Sequence, residues 1–325
     1  MTAATRPASG TARNTNTPHS GAGRVVVIGS LNMDLVARVP RMPAAGETLA
    51  GHTFAQVAGG KGGNQAVAAA RLGARVAMIG RVGEDANGAM LRDGLEAEGI
   101  DCSLLAVSST APTGVALITV DDAGRNSIVI VAGSNGELTP ADIVRNEAVL
   151  ATADVVVCQL ETPPETVAAA LVAGHRLGKT VILNPAPATG PLPAHWLPLI
   201  DYLIPNEVEA AALSGLPIQC PHDAEAAALA MRNQGTRNVV ITLGAAGIIA
   251  VLNGAPQHLE APRVTAIDTT AAGDTFIGAF AAQLAQRVAV DHALRFAQQA
   301  AAVSVTRAGA QPSIPTRAEV EEALR

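Results

Sequence analysis

Short β-branched runs alternate with longer Ala- and Leu-rich stretches along most of the chain. The first run, RVVVIGS (24–30), is apolar from Val25 to Ile28 and ends in Gly-Ser, as a strand buried on both faces does. Runs at 75–80, 155–160, 180–183, 202–204 and 238–243 predict further strands of this kind. Stretches at 66–72, 87–98, 140–150, 164–177, 207–213, 223–234, 276–284 and 292–305 predict helices. Thr139-Pro140 supplies an N-cap followed by a first-turn proline. Repeated strand–helix units predict an α/β fold, doubly wound, with a mainly parallel sheet covered by helices on both faces.

Two places break this rhythm. Short extended segments at 35–39 and 47–57 flank Pro40, Pro43 and Gly46, and segments at 115–120 and 127–131 pair around Asp121-Asp122-Ala123-Gly124. Strands inserted into an α/β chain predict a small β-sheet lid, from about 35–57 and 113–131, or a dimer contact. Residues 1–23 are rich in Ala, Thr, Asn, Ser and Gly without apolar periodicity and are expected to form a disordered tail, leaving 24–325 as the folded unit. The tail lacks the apolar core of a secretory signal.

Polar residues collect where the predicted strands end: Asn32 and Asp34 after the first, Glu161 after VVVCQL, Asn184 after VIL, Asn206 and Glu209 after YLIP, and Thr242 with Gly244–Gly247 after VVIT. Each alone reads more readily as a cap or turn residue than as a ligand-binding one. Together they fall on the carboxyl edge of one sheet, where open α/β sheets take ligands. AGGKGGNQ (58–65) precedes the 66–72 helix; it is neither a Walker A loop nor a dinucleotide fingerprint. Its glycines let a backbone approach a ligand, and Lys61 and Asn64 offer donors.

DTTAAGDTF (268–276) carries the sharpest chemistry. Ala271, Ala272 and Gly273 leave peptide N–H groups uncovered at a helix start, which is a ready anion site. Asp274 beside them can take a proton from a hydroxyl while charge builds on a transferring phosphoryl group, and it can equally be an N-terminal capping residue. Further on, 306–313 (TRAGAQPS) is a turn whose carbonyl and hydroxyl oxygens suit a hard cation.

Composition narrows the classes. Of 325 residues, 49% are hydrophobic and 15% charged, so a sizeable buried core is expected. The net charge of −6, the lack of any Lys/Arg run and 2% aromatics argue against nucleic-acid partners, and no apolar run is long enough to span a bilayer. Three scattered cysteines, Cys102, Cys158 and Cys220, read as free thiols in a reducing, cytoplasmic compartment.

Ten ordered blocks from Arg24 onward resemble the ribokinase-like (pfkB-type) sugar kinase family. They are GSLNMDLV (29–36), GGKGGNQAVAAARLGA (59–74), VGEDANG (82–88), PTGVALITV (112–120), VCQLE (157–161), LNPAPA (183–188), PNEVEA (205–210), TLGAAG (242–247), DTTAAGDTFIGAF (268–280) and AVSVTRAGAQPS (302–313). The resemblance implies a ribokinase-like fold and ATP-dependent phosphorylation of a sugar, D-ribose at its 5-hydroxyl. Alternatives are a 2-deoxyribose or nucleoside kinase of the same family, or a non-catalytic sensor on this fold.

By the same resemblance Asp274 is the base, with Ala271, Ala272 and Gly273 as the anion hole. Asn32, Asp34, Gly60, Lys61, Asn64 and Glu161 hold the sugar. Asn206 and Glu209 order phosphates and Mg²⁺, and Thr242, Gly244, Gly247 and, less directly, Gln298 and Gln299 line the ATP site. Asp268, Thr270, Ser304, Arg307, Gly309 and Ser313 surround a K⁺ ion, several through backbone oxygens. A homodimer through the β lid is also implied.

Overall fold

The computed structural model describes residues 22–188 and 190–325. Residues 1–21 of the expected tail lie outside the described residues. Gly23 belongs to the domain: its carbonyl accepts a hydrogen bond from Arg75 N at 2.8 Å, and a Cβ on it would come within 2.2 Å of Ala285.

Nine strands form one sheet: β1 (Arg24–Ile28), β4 (Arg75–Gly83), β5 (Leu105–Ser108), β8 (Val155–Cys158), β9 (Thr180–Leu183), β10 (Tyr202–Leu203), β11 (Asn238–Thr242), β12 (Ile248–Leu252) and β13 (Ala255–Leu259). Their order is β13-β12-β11-β10-β9-β8-β1-β4-β5. From β11 to β5 every pairing is parallel; β12 and β13 are antiparallel additions at one edge. The β12–β13 hairpin was not expected, although its Asn253-Gly254 turn, with φ of 51° and 124°, is a recognisable hairpin signal.

A second sheet contains β2 (Asn32–Val39), β3 (Thr53–Gly59), β6 (Gly114–Asp121) and β7 (Asn126–Val131), in the order β3-β2-β6-β7. Its strands overlap the segments expected to interrupt the rhythm, although β2 begins three residues earlier, at Asn32, and β3 runs on to Gly59. The expected strand at 47–57 forms only from Thr53, because Glu47 is drawn into a turn by Ala44 N and Arg41.

The helices are α1 (Lys61–Arg71), α2 (Ala86–Ala97), α3 (Pro140–Arg145), α4 (Glu147–Leu150), α5 (Pro164–Arg176), α6 (Glu207–Ser214), α7 (Pro221–Asn233), α8 (Ala272–Ala285), α9 (Val290–Ser304) and α10 (Arg317–Ala323). The single helix expected at 140–150 is broken at Asn146, whose side chain takes the Asp142 carbonyl at 3.0 Å.

Alternate residues of β1 enter opposite cores, as a strand of period two demands. Val25 and Val27 pack with α1, α8 and α9, while Val26 and Ile28 pack with α5, α6 and α7. The sheet is therefore covered on both faces, and what remains open is the edge where the parallel strands end.

Candidate active site

Five neighbouring strands, β11, β10, β9, β8 and β1, deliver polar residues to that edge: Thr242, Asn206, Asn184, Glu161 and Ser30. The chain builds the sheet one way from β1 through β4 and β5, then turns back through β8, so the crevice lies between β1 and β8. Ser30 Oγ spans it, donating to Glu161 Oε2 at 2.5 Å.

The glycine motif differs from the loop expected before residue 66. Strand β3 ends at Gly59, Gly60 alone makes the junction with φ of 83°, and α1 starts at Lys61. Lys61 and Asn64 therefore stand on the first helical turns. A helix opening with Lys-Gly-Gly has poor intrinsic propensity. It forms here because its first turn is held from outside: Glu161 Oε2 accepts Lys61 N at 3.1 Å, Ser30 Oγ accepts Gly62 N at 3.3 Å and Ser30 O accepts Gly63 N at 3.0 Å. A Cβ on Gly62 would come within 2.6 Å of Ser30 N.

Helix α8 begins at Ala272, four residues before the expected run, with Ala271 as its N-cap in the left-handed region. Gly278 lets α8 approach α1 closely, since a Cβ there would meet Ala68 Cβ at 2.4 Å. The two helix starts thus face one crevice. Asn64 Nδ2 donates to Asp274 Oδ2 and Gln65 Nε2 to Oδ1, each at 2.9 Å. Among the described residues the N–H groups of Ala271 and Gly273 have no acceptor, whereas Ala272 N makes a 3.3 Å bond to Thr269 O. The anion hole expected over three residues therefore has its unpaired donors at Ala271 and Gly273. Apart from its chain neighbours and its own helix backbone, nothing lies within 4 Å of a Cβ placed on Gly273, so the helix start faces open space.

Two cavities meet there. A polar one of about 210 Å³ is lined by Lys61, Asn184, Asn206, Glu209, Thr242 and Asp274, together with Ala271–Gly273. An apolar one of about 410 Å³ is lined by Gly244, Gly247, Ile248, Phe276, Gln298 and the 261–266 segment. Thr242, Thr269, Ala272 and Gly273 border both. A third, of about 340 Å³, lies between the two sheets, lined by Asn32, Ile130, Asn135, Leu160 and Glu161.

The sugar-site candidates converge. A Cβ on Gly60 would come within 2.7 Å of Asn32 N, and Asp34 lies over Gly59, its carboxylate within 2.6 Å of a Cβ placed there. Burial, reinforced by Glu161 and Asp274, pushes the Asp34 carboxyl up to about 7. Burial raises Asp274 too, against Lys61 and the two amide donors. Burial opposes the charge on Lys61, but Asp274, Glu161 and Glu209 outweigh it and raise its pKa. One half-buried lysine thus stands among carboxylates from three elements.

Asn206 and Glu209 form the capping box of α6: Asn206 Oδ1 accepts Glu209 N and Glu209 Oε2 accepts Asn206 N, both at 2.9 Å. Both still border the polar cavity, and burial raises Glu209. A lone carboxylate with an amide suits Mg²⁺ held jointly with phosphates, and no cluster of three acidic, His or Cys residues forms a metal cage among the described residues. Gln298 Nε2 donates to Leu259 O at 2.9 Å, pinning the β13 end to the apolar cavity; Gln299 does not line it.

Asp268 gathers the cation candidates: its Oδ1 accepts Thr270 N at 2.9 Å and its Oδ2 accepts Gly309 N at 2.9 Å. Ser304 and Ser313 turn their hydroxyls to Ala301 O and Ala310 O, and Arg307 pairs with Glu319 at 2.6 Å. These side chains are committed to protein partners, so of the expected cation ligands it is the main-chain oxygens that would be left for an ion.

Sequence reasoning missed Gln65, Asn135 and the 261–266 wall. Gln65 stood in the glycine motif, so its signal was present. Asn135, whose amide binds both main-chain groups of Leu31 and also Asn32 Oδ1, had none.

An apolar slot joined to a polar, lysine-bearing one at a helix start, with a buried carboxylate lining the polar slot, suits phosphoryl transfer to a hydroxyl. The sequence profile of the pfkB family carbohydrate kinases matches residues 22–317. The ribokinase of Haemophilus influenzae is 44% identical over 300 residues, covering 92% of this chain and 98% of that protein. The deoxyribokinase of Salmonella typhi is 38% identical, covering 92% and 98%. The structure of Arabidopsis thaliana ribokinase complexed with ribose and ATP superposes with a TM-score of 0.87 at 33% identity, covering 94% of this chain and 99% of that one. With its crevice, its two adjoining cavities and these relatives, the chain belongs to the pfkB family of carbohydrate kinases.

Proposed function

We propose that this chain transfers the γ-phosphoryl group of ATP to the 5-hydroxyl of D-ribose, giving D-ribose 5-phosphate and ADP. The observation that carries the reading is Asp274, buried at the start of α8 beside unpaired N–H groups and facing the polar cavity. Asp274 takes the proton of the attacking hydroxyl as the new O–P bond forms and the bond from the γ-phosphorus to the bridging oxygen breaks. The N–H groups of Ala271 and Gly273, with Ala272 at the helix start, and Lys61 receive the phosphoryl charge. Most of the rate comes from positioning and charge, since phosphoryl transfer asks little covalent chemistry of a protein.

Asn32, Asp34, Gly60, Lys61, Asn64 and Glu161 hold the sugar. Thr242, Gly244, Gly247 and Gln298 border the adenosine, for which the apolar cavity is suited. Asn206 and Glu209 hold Mg²⁺, which neutralises phosphate charge when bound. Main-chain oxygens around Asp268, Thr270, Ser304, Arg307, Gly309 and Ser313 hold K⁺. The β2-β3-β6-β7 sheet closes over the sugar and excludes water from the phosphoryl group. Its outer strand pairs two copies into a homodimer. Three free cysteines support a cytoplasmic setting.

Phosphorylation of 2-deoxyribose is the second reading, favoured by the likeness to a deoxyribokinase. Sugar-dependent ADP formation over ribose, 2-deoxyribose, fructose and nucleosides decides between them. Ribose turnover lost by at least about 10²-fold in Asp274→Asn, with folding kept, supports the assigned base; unchanged turnover removes it.

A further inference from the structure

Asp274 is held from behind by a line of buried amides. Gln65 Nε2 donates to Asp274 Oδ1 at 2.9 Å and to Asn184 Oδ1 at 3.1 Å. Gln65 Oε1 accepts from Gln159 Nε2 at 2.6 Å, and Asn184 Nδ2 donates to the main-chain carbonyl of Ile204 at 3.0 Å. Gln65 and Gln159 are wholly buried, and Asn184 nearly so.

The direction of this line has one origin. A carbonyl oxygen only accepts, so Asn184 turns its NH₂ to Ile204 and its oxygen to Gln65. Gln65 must then offer its own NH₂, whose two hydrogens meet Asn184 and Asp274, and its oxygen is left to Gln159. Turning any one of these amides over sets oxygen against oxygen or NH₂ against NH₂. The far end of the line has a cost: Gln159 Oε1 is buried without a partner among the described residues. Gln65 lines none of the three cavities, so it acts on substrate only through its neighbours.

We propose that Gln65 is the positioning residue of Asp274: with its amide direction imposed by the Ile204 carbonyl through Asn184, it orients the carboxylate and holds it in the proton-accepting form. Asn64 does the same for the other oxygen from one residue away on α1, which leaves the remaining lone pairs for the cavity side. The inference rests on Asp274 acting as the base. Lys61 on α1, Glu161 after β8, Asp34 on β2 and Glu209 on α6 also act on Asp274, and all stay constant when Gln65 alone is changed.

The test follows the Asp274 carboxyl directly, by NMR titration of protein carrying ¹³C-labelled aspartate, with the signal assigned by its loss in Asp274→Asn. Turnover is measured in parallel at saturating ribose and ATP. Gln65→Met fills the same space without donors; it should raise the Asp274 midpoint by about one pH unit and lower kcat about tenfold, leaving the KM for ATP within about twofold. Gln65→Glu keeps the shape and the acceptor for Gln159 but sets a second carboxyl against Asp274, and should raise the upper midpoint of the pair further. A fall in melting temperature with the midpoint unmoved makes Gln65 merely structural and overturns the inference. If Gln65→Met does not fold, the same titration on Gln65→Glu decides, an unmoved midpoint again overturning it. Normal turnover in Asp274→Asn sinks the base itself. Lost turnover there, with a normal midpoint and kcat in the Gln65 variants, sinks only the role of Gln65.

Discussion

Ser30 and Glu161 close the crevice where the strand order turns back: Ser30 Oγ donates to Glu161 Oε2 at 2.5 Å, and the same oxygen accepts Lys61 N at 3.1 Å. One carboxylate therefore joins the ends of β1 and β8 to the first turn of α1, where a negative charge also suits the helix dipole. Glu161→Ala should cost about 1–3 kcal/mol of stability, because it leaves the buried Ser30 hydroxyl and the half-buried Lys61 N–H unpaired. Glu161→Gln, which keeps an acceptor, should recover most of that but not the sugar affinity. Urea unfolding and ribose calorimetry measure the two effects, and an alanine variant as stable as the parent would remove the clamp.

Asp34 makes the sugar site pH-dependent. Its folded pKa of about 7 lies above the ordinary carboxylate value, chiefly through burial. The unfolded chain therefore releases this proton first, and the residue lowers stability progressively from about pH 4 up to about pH 7, with the full penalty remaining above. Asp34→Asn should accordingly raise the melting temperature at pH 8 and change it little at pH 4. The ionised form accepts sugar hydroxyls through both oxygens and as a charged acceptor, the stronger bond, so kcat/KM for ribose should climb through about pH 7 and lose that limb in Asp34→Asn. Ribose should be preferred over 2-deoxyribose by at least about tenfold, a preference Asp34→Ala largely erases.

Strand β7 is an edge with every residue exposed, including Ile128, Val129, Ile130 and Val131. Consecutive residues point to opposite faces, so neither face of this edge is covered within one copy. Bare apolar edges pair with other chains unless protected. Sedimentation should show a dimer, and Val129→Lys with Val131→Lys should yield a monomer with weakened ribose affinity. A wild-type monomer at working concentration would refute the dimer.

Arg71, at the far end of α1, donates to Gln311 O at 2.8 Å and Ile314 O at 2.7 Å. Asp268 meanwhile ties the start of the anion-hole loop to Gly309. A cation seated on this turn would stiffen the approach to α8. Adding K⁺ to protein dialysed against a bulky organic cation should raise kcat several-fold, on the order of the coupling usual between distinct sites. A flat response would remove the site.

What the sequence determined by itself is whatever depends on near neighbours. Apolar runs such as RVVVI must lie in a parallel sheet sealed on both faces, and their ends must carry Glu161, Asn184, Asn206 and Thr242 to one edge; Asn32 and Asp34, expected there too, stand instead on β2 of the smaller sheet. The small residues before Phe276 already marked a helix start with bare N–H groups, because nothing local could cover them. What only the tertiary structure decided are relationships between distant segments. Gln65 and Gln159 are 94 residues apart, and Gln65 and Asp274 are 209 apart, so no local pattern encodes their line. The start of α1 at Lys61 was likewise hidden: glycines disfavour a helix by their own propensity, and only Ser30 and Glu161, brought in by the sheet, supply the hydrogen bonds that fold it. The 261–266 wall of the apolar cavity has no periodicity of its own, since an irregular segment takes its shape from the hairpin and helix it lies between.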